Sequence, residues 1–187
     1  MSSTLGFFAS GRLGHLSSPI VGAMDALATV TLSSAQSSVA FVGIPQNYSY
    51  LELRWVAQDN RNTVGDNISV ALNGDSTQSN YRSHRLLGYS GGVLAQDYGN
   101  SNGMGEISGG DTANVFGGSI LTLVDYASPF KNKSFKTIGG IDNNTNGELA
   151  MYSSFWMNTN PVTSMTLTPT NASTFSTNST FSLYGVR

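Results

Sequence analysis

The sequence predicts an all-β protein, an antiparallel β-sandwich of jelly-roll type with about eight or nine strands. Helical periodicity is almost absent beyond about residue 25. Short runs that alternate between apolar and polar residues take its place. Clusters of Asn, Gly, Pro and Ser separate these runs at intervals of about 8–12 residues. Since no crossover helices lie between the runs, an antiparallel sandwich is favoured over a parallel sheet.

Each alternating run is interpreted as one strand. Residues 50–57 are the clearest, because Leu51, Leu53 and Trp55 share one face and the residues between them are charged. Residues 67–73 repeat the alternation and lead into an Asn-Gly turn signal. The other predicted strands cover residues 26–33, 37–43, 82–89, 119–126, 134–141, 149–157, 164–168 and 180–186. Their inward positions predict a core of Phe41, Leu51, Leu53, Trp55, Ile68, Val70, Leu72, Leu121, Leu123, Phe135, Phe155, Met165, Leu167, Phe181 and Leu183.

Two connecting segments complete the predicted domain, residues 23–187. Residues 33–36 are short and polar, which predicts a hairpin between the first two strands. Residues 76–118 accumulate glycine among Ser, Asn and Tyr. They are interpreted as one or two long loops around the short strand at residues 82–89.

Residues 1–22 differ from the rest, because glycines interrupt a series of apolar residues. The segment is too apolar for a solvated tail and too rich in glycine for a strong helix. We interpret it as an arm that docks on another subunit. The alternative is an edge strand or short helix that covers the sandwich's own core.

The composition excludes several classes of function. Charged residues make up 11% of the chain, against about 25% usually, and Ser, Thr and Asn supply about a third. With a net charge of −2 and no basic patch, nucleic acid is not an expected partner. No apolar run reaches the roughly 18–20 residues of a membrane span, and no secretion signal is predicted. The absence of cysteine excludes disulfides, thiolate metal sites and cysteine nucleophiles.

Two motifs resemble chemical sites. Residues 88–92 match the nucleophile pattern G-x-S-x-G at Ser90, with His84, Asp97 and Asp111 available, but no helix follows to present the serine. We therefore predict no catalytic residue and no enzyme.

The second motif, residues 142–147, matches the first half of a calcium loop. Ser153 stands where the bidentate glutamate is expected. A plain Asn/Gly hairpin turn is favoured, and ion binding there stays open. No metal site and no cofactor are predicted.

Tyrosine, arginine and amide side chains are concentrated in the predicted loop region. Such residues favour a recognition surface, because aromatic rings bring contact area at low entropic cost. A protein partner is favoured over a host-surface saccharide, and the alternative is that the rings pack back over one end of the sandwich. The candidate residues are Tyr81, Arg82, Arg85, Tyr89 and Tyr98.

From residue 26 onward the sequence resembles bacteriophage virion proteins and tail-fibre terminal modules. Their pattern runs I-P-x-x-Y-x-x-L-x-L-R, F-N-G-D-x-x-x-N-Y-x-x-R, F-x-x-x-G, I-x-S-I-T-L and F-x-L-Y-G-I. The matching segments are residues 44–54, 72–82, 133–139, 162–167 and 179–186. The order and spacing of the segments carry the resemblance, which covers about 160 residues.

The resemblance implies a non-enzymatic virion structural protein. An arm without a fibre shaft suits a capsid decoration or cement protein that binds the major capsid protein or another virion protein. The expected shell-docking residues are Leu5, Phe7, Phe8, Arg12 and Leu13. The expected assembly is a homotrimer, because closed symmetry buries apolar edges without polymerising. The alternative is a tail-fibre or appendage module that binds a host receptor.

Overall fold

The computed structural model describes residues 22–187, and these form twelve β-strands and a 3₁₀ turn at Gln78–Asn80. The strands are β1 Met24–Thr31, β2 Val39–Val42, β3 Tyr50–Ala57, β4 Gly65–Leu72, β5 Tyr81–Tyr89, β6 Gly92–Gly99, β7 Gly103–Ser108, β8 Gly117–Val124, β9 Lys133–Asp142, β10 Gly147–Trp156, β11 Ser164–Pro169 and β12 Thr180–Val186. Within the same residues, no helix is long and apolar enough to cross a membrane. The predicted docking residues of the arm, Leu5, Phe7, Phe8, Arg12 and Leu13, lie outside the described part of the chain.

The strands form two antiparallel sheets. The large sheet has the order β1-β12-β3-β8-β9-β10-β5-β6, and the small sheet has the order β2-β11-β4-β7. The subset β1-β12-β3-β8 facing β2-β11-β4-β7 has the strand order of an eight-stranded jelly roll with two Greek keys. The predicted all-β antiparallel sandwich is confirmed. The hairpins β5–β6 and β9–β10 are insertions that extend only the large sheet.

Within residues 76–118 the predicted strand at 82–89 is confirmed as β5, but the prediction that long loops surround it is wrong, because β6 and β7 follow it. Every residue of β7 is buried, so the strand shows none of the alternation that marks a half-exposed strand. Its Gly105 is needed for close packing, since a Cβ there would overlap the Trp55 indole ring. Glycine in this segment therefore marks close approach of backbone and side chain.

The predicted hairpin at residues 33–36 is also wrong. β1 pairs with β12 in the large sheet, whereas β2 pairs with β11 in the small sheet. The connection crosses from one sheet to the other, as a jelly roll requires. A short polar link has the same sequence signature in both cases.

The core lies between the two sheets, and it contains every predicted core residue except Phe155. On β10 the inward positions are Tyr152, Ser154 and Trp156, which places Phe155 on the outer face of the large sheet. Residues 155–157 at the end of β10 are all apolar, so the sequence pattern does not indicate which of them face inward. Phe175 is fully buried although it lies outside the predicted alternating strands, and Tyr126, the last residue of the predicted strand 119–126, is fully buried but is absent from the predicted core.

The predicted turn at Asn73 and Gly74 is confirmed. Both residues have positive φ, 53° and 76°, as the two-residue hairpin turn of type I′ requires. The Asp75 N–H closes the turn by donating to the Leu72 carbonyl at 2.9 Å.

Strands β8, β9 and β10 of the large sheet pack against β7, which among the described residues is an edge strand of the small sheet. The Glu106 carbonyl on this edge accepts hydrogen bonds from Trp55 Nε1 and from Ser119 Oγ, each at 2.9 Å. An edge strand that lacks a strand neighbour is thus satisfied by side chains of the opposite sheet. The opposite face of the large sheet, its outer face, points away from the core.

Candidate functional site

The outer face of the large sheet carries a row of apolar side chains. Ile120, Ile138, Met151 and Leu86 lie directly opposite one another on β8, β9, β10 and β5. Each is between 39% and 54% exposed. An antiparallel sheet normally presents polar residues on the face that is not packed on the core. A contiguous exposed apolar patch is typical of an interaction surface.

A polar row runs beside the apolar row, displaced from it by two residues along each strand. Its members, in order across the sheet, are Thr122, Lys136, Ser153, His84 and Asp97. A third row contains Val124, Ser134 and Phe155. The three rows together define the outer groove.

The outer groove has two connected depressions. The first, about 550 Å³, is lined by the apolar row and by the polar row except Asp97, and the second, about 510 Å³, is bounded by Val124 and Phe155. Thr122, Lys136 and Ser153 line both. The groove is therefore apolar on both sides with a polar strip along its centre.

In the outer groove Asp97 is paired with basic side chains, whereas Lys136 is not paired within the described residues. Asp97 at the end of the polar row is 2.5 Å from Arg82 and 3.9 Å from His84 Nδ1. The Gly99 N–H, followed by the charges of Arg82 and His84, holds the pKa of Asp97 below its usual range. Lys136 forms no ion pair with any residue of the range 22–187. The centre of the groove therefore presents a positive charge without a counter-charge from the described chain.

Ser153, His84 and Asp97 occur in the order of a hydrolase triad, but the site lacks what that chemistry needs. β10 and β5 are each hydrogen-bonded on both sides. Their backbone N–H groups thus serve the sheet and leave no oxyanion hole beside Ser153. His84 and Ser153 are exposed on an open sheet face, where water is not excluded. The arrangement of these three residues does not match the geometry that acyl transfer requires.

The sequence motifs singled out as chemical sites form hairpin turns. Ser90 lies in the turn between β5 and β6, so no helix N-terminus presents it. Asn143 closes the turn between β9 and β10, its N–H donating to the Asn146 carbonyl at 3.0 Å. The Asp142 carboxylate accepts from the Asn144 N–H within the same turn. Within residues 22–187 no three His, Asp or Glu side chains are grouped to hold a metal ion.

The predicted recognition residues do not form one surface. Tyr81 is fully buried, and its hydroxyl accepts from the Leu72 N–H and donates to the Asp75 carbonyl. Burial raises the pKa of Tyr81 to about 12. Arg82 pairs with Asp97 at the end of the outer groove, and Tyr89 lies 43% exposed at the end of β5.

Arg85 and Tyr98 belong to a buried cluster between the sheets. The Arg85 guanidinium donates to Glu106 Oε1 at 2.9 Å and to Gln96 Oε1 at 2.7 Å, and it lies 4.8 Å from the Tyr98 ring centre. The Tyr152 hydroxyl donates to the same Glu106 carboxylate. Only 11% of the Arg85 side chain and 1% of the Glu106 side chain are exposed. The Arg85 and Glu106 side chains thus join strands of both sheets in the interior, whereas Tyr98 is half-buried.

The residues of the apolar row were missed by sequence reasoning, because each lies on a different strand. One signal was present. Residues 120–124 of β8 are apolar at four of five positions, so both faces of the strand are apolar, as in strands covered on both sides. The pairing that aligns Ile120 with Ile138 and Met151 is a property of the register, which the sequence pattern does not determine.

Comparison with known proteins adds no relative: no protein-family model matches the sequence, and neither a curated protein nor a solved structure matches it.

Proposed function

We propose that the chain is a non-enzymatic structural protein of a bacteriophage particle, a decoration or cement protein that binds the shell. The observation that carries the proposal is the outer groove, an apolar face of the large sheet that residues 22–187 leave exposed. The resemblance to virion proteins supports the assignment to a phage particle. Jelly rolls occur in viral capsid proteins and in lectins, so the fold is compatible with this role but does not select it.

The proposed occupant of the outer groove is an apolar surface of a neighbouring virion protein that carries a carboxylate. Apolar side chains would cover Ile138 and Met151, and the carboxylate would pair with Lys136. An ion pair at the centre of an apolar contact fixes its register and disfavours partners without the acid.

The outer groove alone is too small for tight attachment. Burying the exposed halves of its four apolar side chains contributes roughly 3–6 kcal/mol before the cost of association is subtracted. Docking of Leu5, Phe7, Phe8 and Leu13 of the arm would contribute roughly 6–12 kcal/mol gross. Two linked contacts bind far more tightly than either one alone. The proposal therefore assigns shell binding to the arm and the groove together.

Cosedimentation with undecorated particles tests both contacts. The double variant Ile138→Lys/Met151→Lys is expected to lower affinity for the particles at least tenfold, because it places charge in the apolar contact. Deletion of residues 1–18 is expected to do the same. The matched control is Val42→Lys, since Val42 is 78% exposed on β2 of the small sheet, away from the groove.

Each outcome of this experiment is decisive for one part of the proposal. Undiminished binding by the groove variant removes the groove from the interface, and undiminished binding by the deletion variant removes the arm. If neither change affects particle binding but the protein binds host cells, the receptor-binding alternative replaces the cement proposal.

The proposal includes a homotrimer, since a decoration protein with closed symmetry buries apolar edges without forming filaments. Sedimentation equilibrium of the isolated protein is expected to give three times the 19.8 kDa chain mass. A protein that is monomeric in solution at micromolar concentration and also in the assembled particle would contradict this assignment.

A further inference from the structure

Two carboxyl groups are buried side by side at one end of the sandwich. Asp59 follows β3 and is fully buried, and Asp66 of β4 is 3% exposed. Arg61 contacts both side chains: its N–H donates to Asp59 Oδ1 at 3.1 Å and its Nη1 donates to Asp66 Oδ1 at 3.0 Å. If both carboxyl groups were ionised in such a place, the two negative charges would repel each other, because burial removes the water that would otherwise solvate them.

The hydrogen bonds around the pair leave one oxygen without a donor. Asp66 Oδ1 accepts from Arg61 Nη1 at 3.0 Å, the Asn67 N–H at 2.8 Å, Thr170 Oγ1 at 2.7 Å and Asn171 Nδ2 at 3.1 Å. Asp66 Oδ2 is buried and accepts from no residue in the range 22–187. A buried acceptor without a donor costs free energy, which indicates that a proton lies beside Asp66 Oδ2.

The charges around the pair support a proton at this place. The loop that contains Asp59 also contains Arg61, which pairs with Asp66. The neighbouring segment, residues 170–178, contains no charged residue, and residues 109–110 are glycines. Two carboxylates facing one guanidinium leave one negative charge in excess, and a single proton neutralises it.

We infer that Asp59 and Asp66 share one proton, and that this proton makes the attachment of residues 170–178 to the end of the sandwich dependent on pH. The proton sits on Asp59, which donates it to Asp66 Oδ2. Burial, to which Asp66 adds, raises the pKa of Asp59 to about 6.

The segment that depends on this proton is held to the Asp59 loop by several bonds. Ser173 Oγ donates to Asp59 Oδ2 at 2.5 Å, and the Thr174 N–H donates to Asn60 Oδ1 at 2.9 Å. Phe175 is fully buried against Phe181, with their ring centres 4.8 Å apart. Loss of the proton places two adjacent negative charges beneath this segment.

The sign of the effect follows from the raised pKa. Between the unfolded value of 3.8 and the folded value of about 6, the folded protein holds more protons than the unfolded chain. Stability from this pair is therefore present below about pH 4 and is lost as the pH rises to about 6. A shift of about two units corresponds to about a hundredfold change in the folding equilibrium constant.

The variant Asp59→Asn tests the inference, because an amide donates to Asp66 Oδ2 at every pH. Urea unfolding from pH 4 to pH 8 is expected to show equal stability of both proteins at pH 4 and a higher folding constant for the variant above pH 6, by up to about a hundredfold. Asp111→Asn, at an exposed loop position, is the control and is expected to follow the wild type at every pH.

Two further measurements keep the inference testable if the variant does not fold. In the wild type, the Asp59 carboxyl carbon is expected to titrate near pH 6 in NMR spectra, and a midpoint below pH 4 overturns the inference. Millimolar calcium chloride is expected to leave the wild-type unfolding midpoint at pH 7 unchanged. A rise that EDTA reverses means that a cation, not a proton, bridges the two carboxylates, which also overturns it.

Discussion

Removal of residues 180–187 is expected to leave a chain that does not fold. β12 is hydrogen-bonded on both sides, to β1 and to β3, and within residues 22–187 β1 pairs with no other strand. Phe181 and Leu183 of β12 are buried in the core. The deletion thus leaves one strand unpaired, opens the edge of another and removes two core side chains. Far-ultraviolet circular dichroism and soluble yield measure the effect.

Two controls separate loss of the strand from loss of the chain end. Deletion of Arg187 alone removes an exposed ion pair with Asp25 and is expected to cost less than about 1 kcal/mol. A synthetic peptide of residues 178–187, added to the truncated chain, is expected to restore β-structure. A truncated chain that is soluble, cooperative and resistant to urea without the peptide would show that β12 is dispensable.

The variant Glu106→Ala is expected to lower the free energy of unfolding by about 3–5 kcal/mol. It removes one partner of a buried ion pair and leaves Arg85 without its carboxylate. Burial raises the pKa of Glu106, whereas the Tyr152 hydroxyl and Arg85 oppose that rise. The loss is therefore mainly the cost of an uncompensated buried cation. Urea unfolding at pH 7 gives the value, provided that the slope with urea stays unchanged.

The surface offers a matched ion pair as the control. Arg82 and Asp97 also join neighbouring strands, but both side chains are more than 40% exposed. Asp97→Ala is expected to cost less than about 1 kcal/mol. The double variant Arg85→Met/Glu106→Leu is expected to recover most of the loss, since paired apolar residues leave no buried charge. A Glu106→Ala loss below about 0.5 kcal/mol, the level of a surface substitution, would contradict this account.

Most of the core could be predicted from the sequence, because most strands are buried on one face only and alternate between apolar and polar residues. Leu51, Leu53 and Trp55 face inward as the pattern of β3 indicates. The pattern fails where a strand is buried on both faces, as in β7, or is apolar on both faces, as at Phe155. There the choice of face is made by tertiary packing and not by periodicity.

Predicting the candidate sites requires the strand register and the topology, whereas predicting the fold class requires much less of either. Arg85 meets Glu106 and Tyr152 across 21 and 67 residues of chain, and Asp59 meets Asp66 where the chain passes from β3 in the large sheet to β4 in the small sheet. The apolar row requires the registers of β8, β9, β10 and β5 to be known together. Pairing across strands sets these neighbours, and no local pattern encodes it.

The pairing of the first described strand with the last one sets the order of events during synthesis. Thr29 of β1 binds Ser182 of β12 at a separation of 153 residues. β1 therefore leaves the ribosome long before the strand that it pairs with exists, and the large sheet cannot close until β12 has been released. Since contacts between distant residues slow folding, this sheet closes late, and its half-formed edge needs protection from other chains until then.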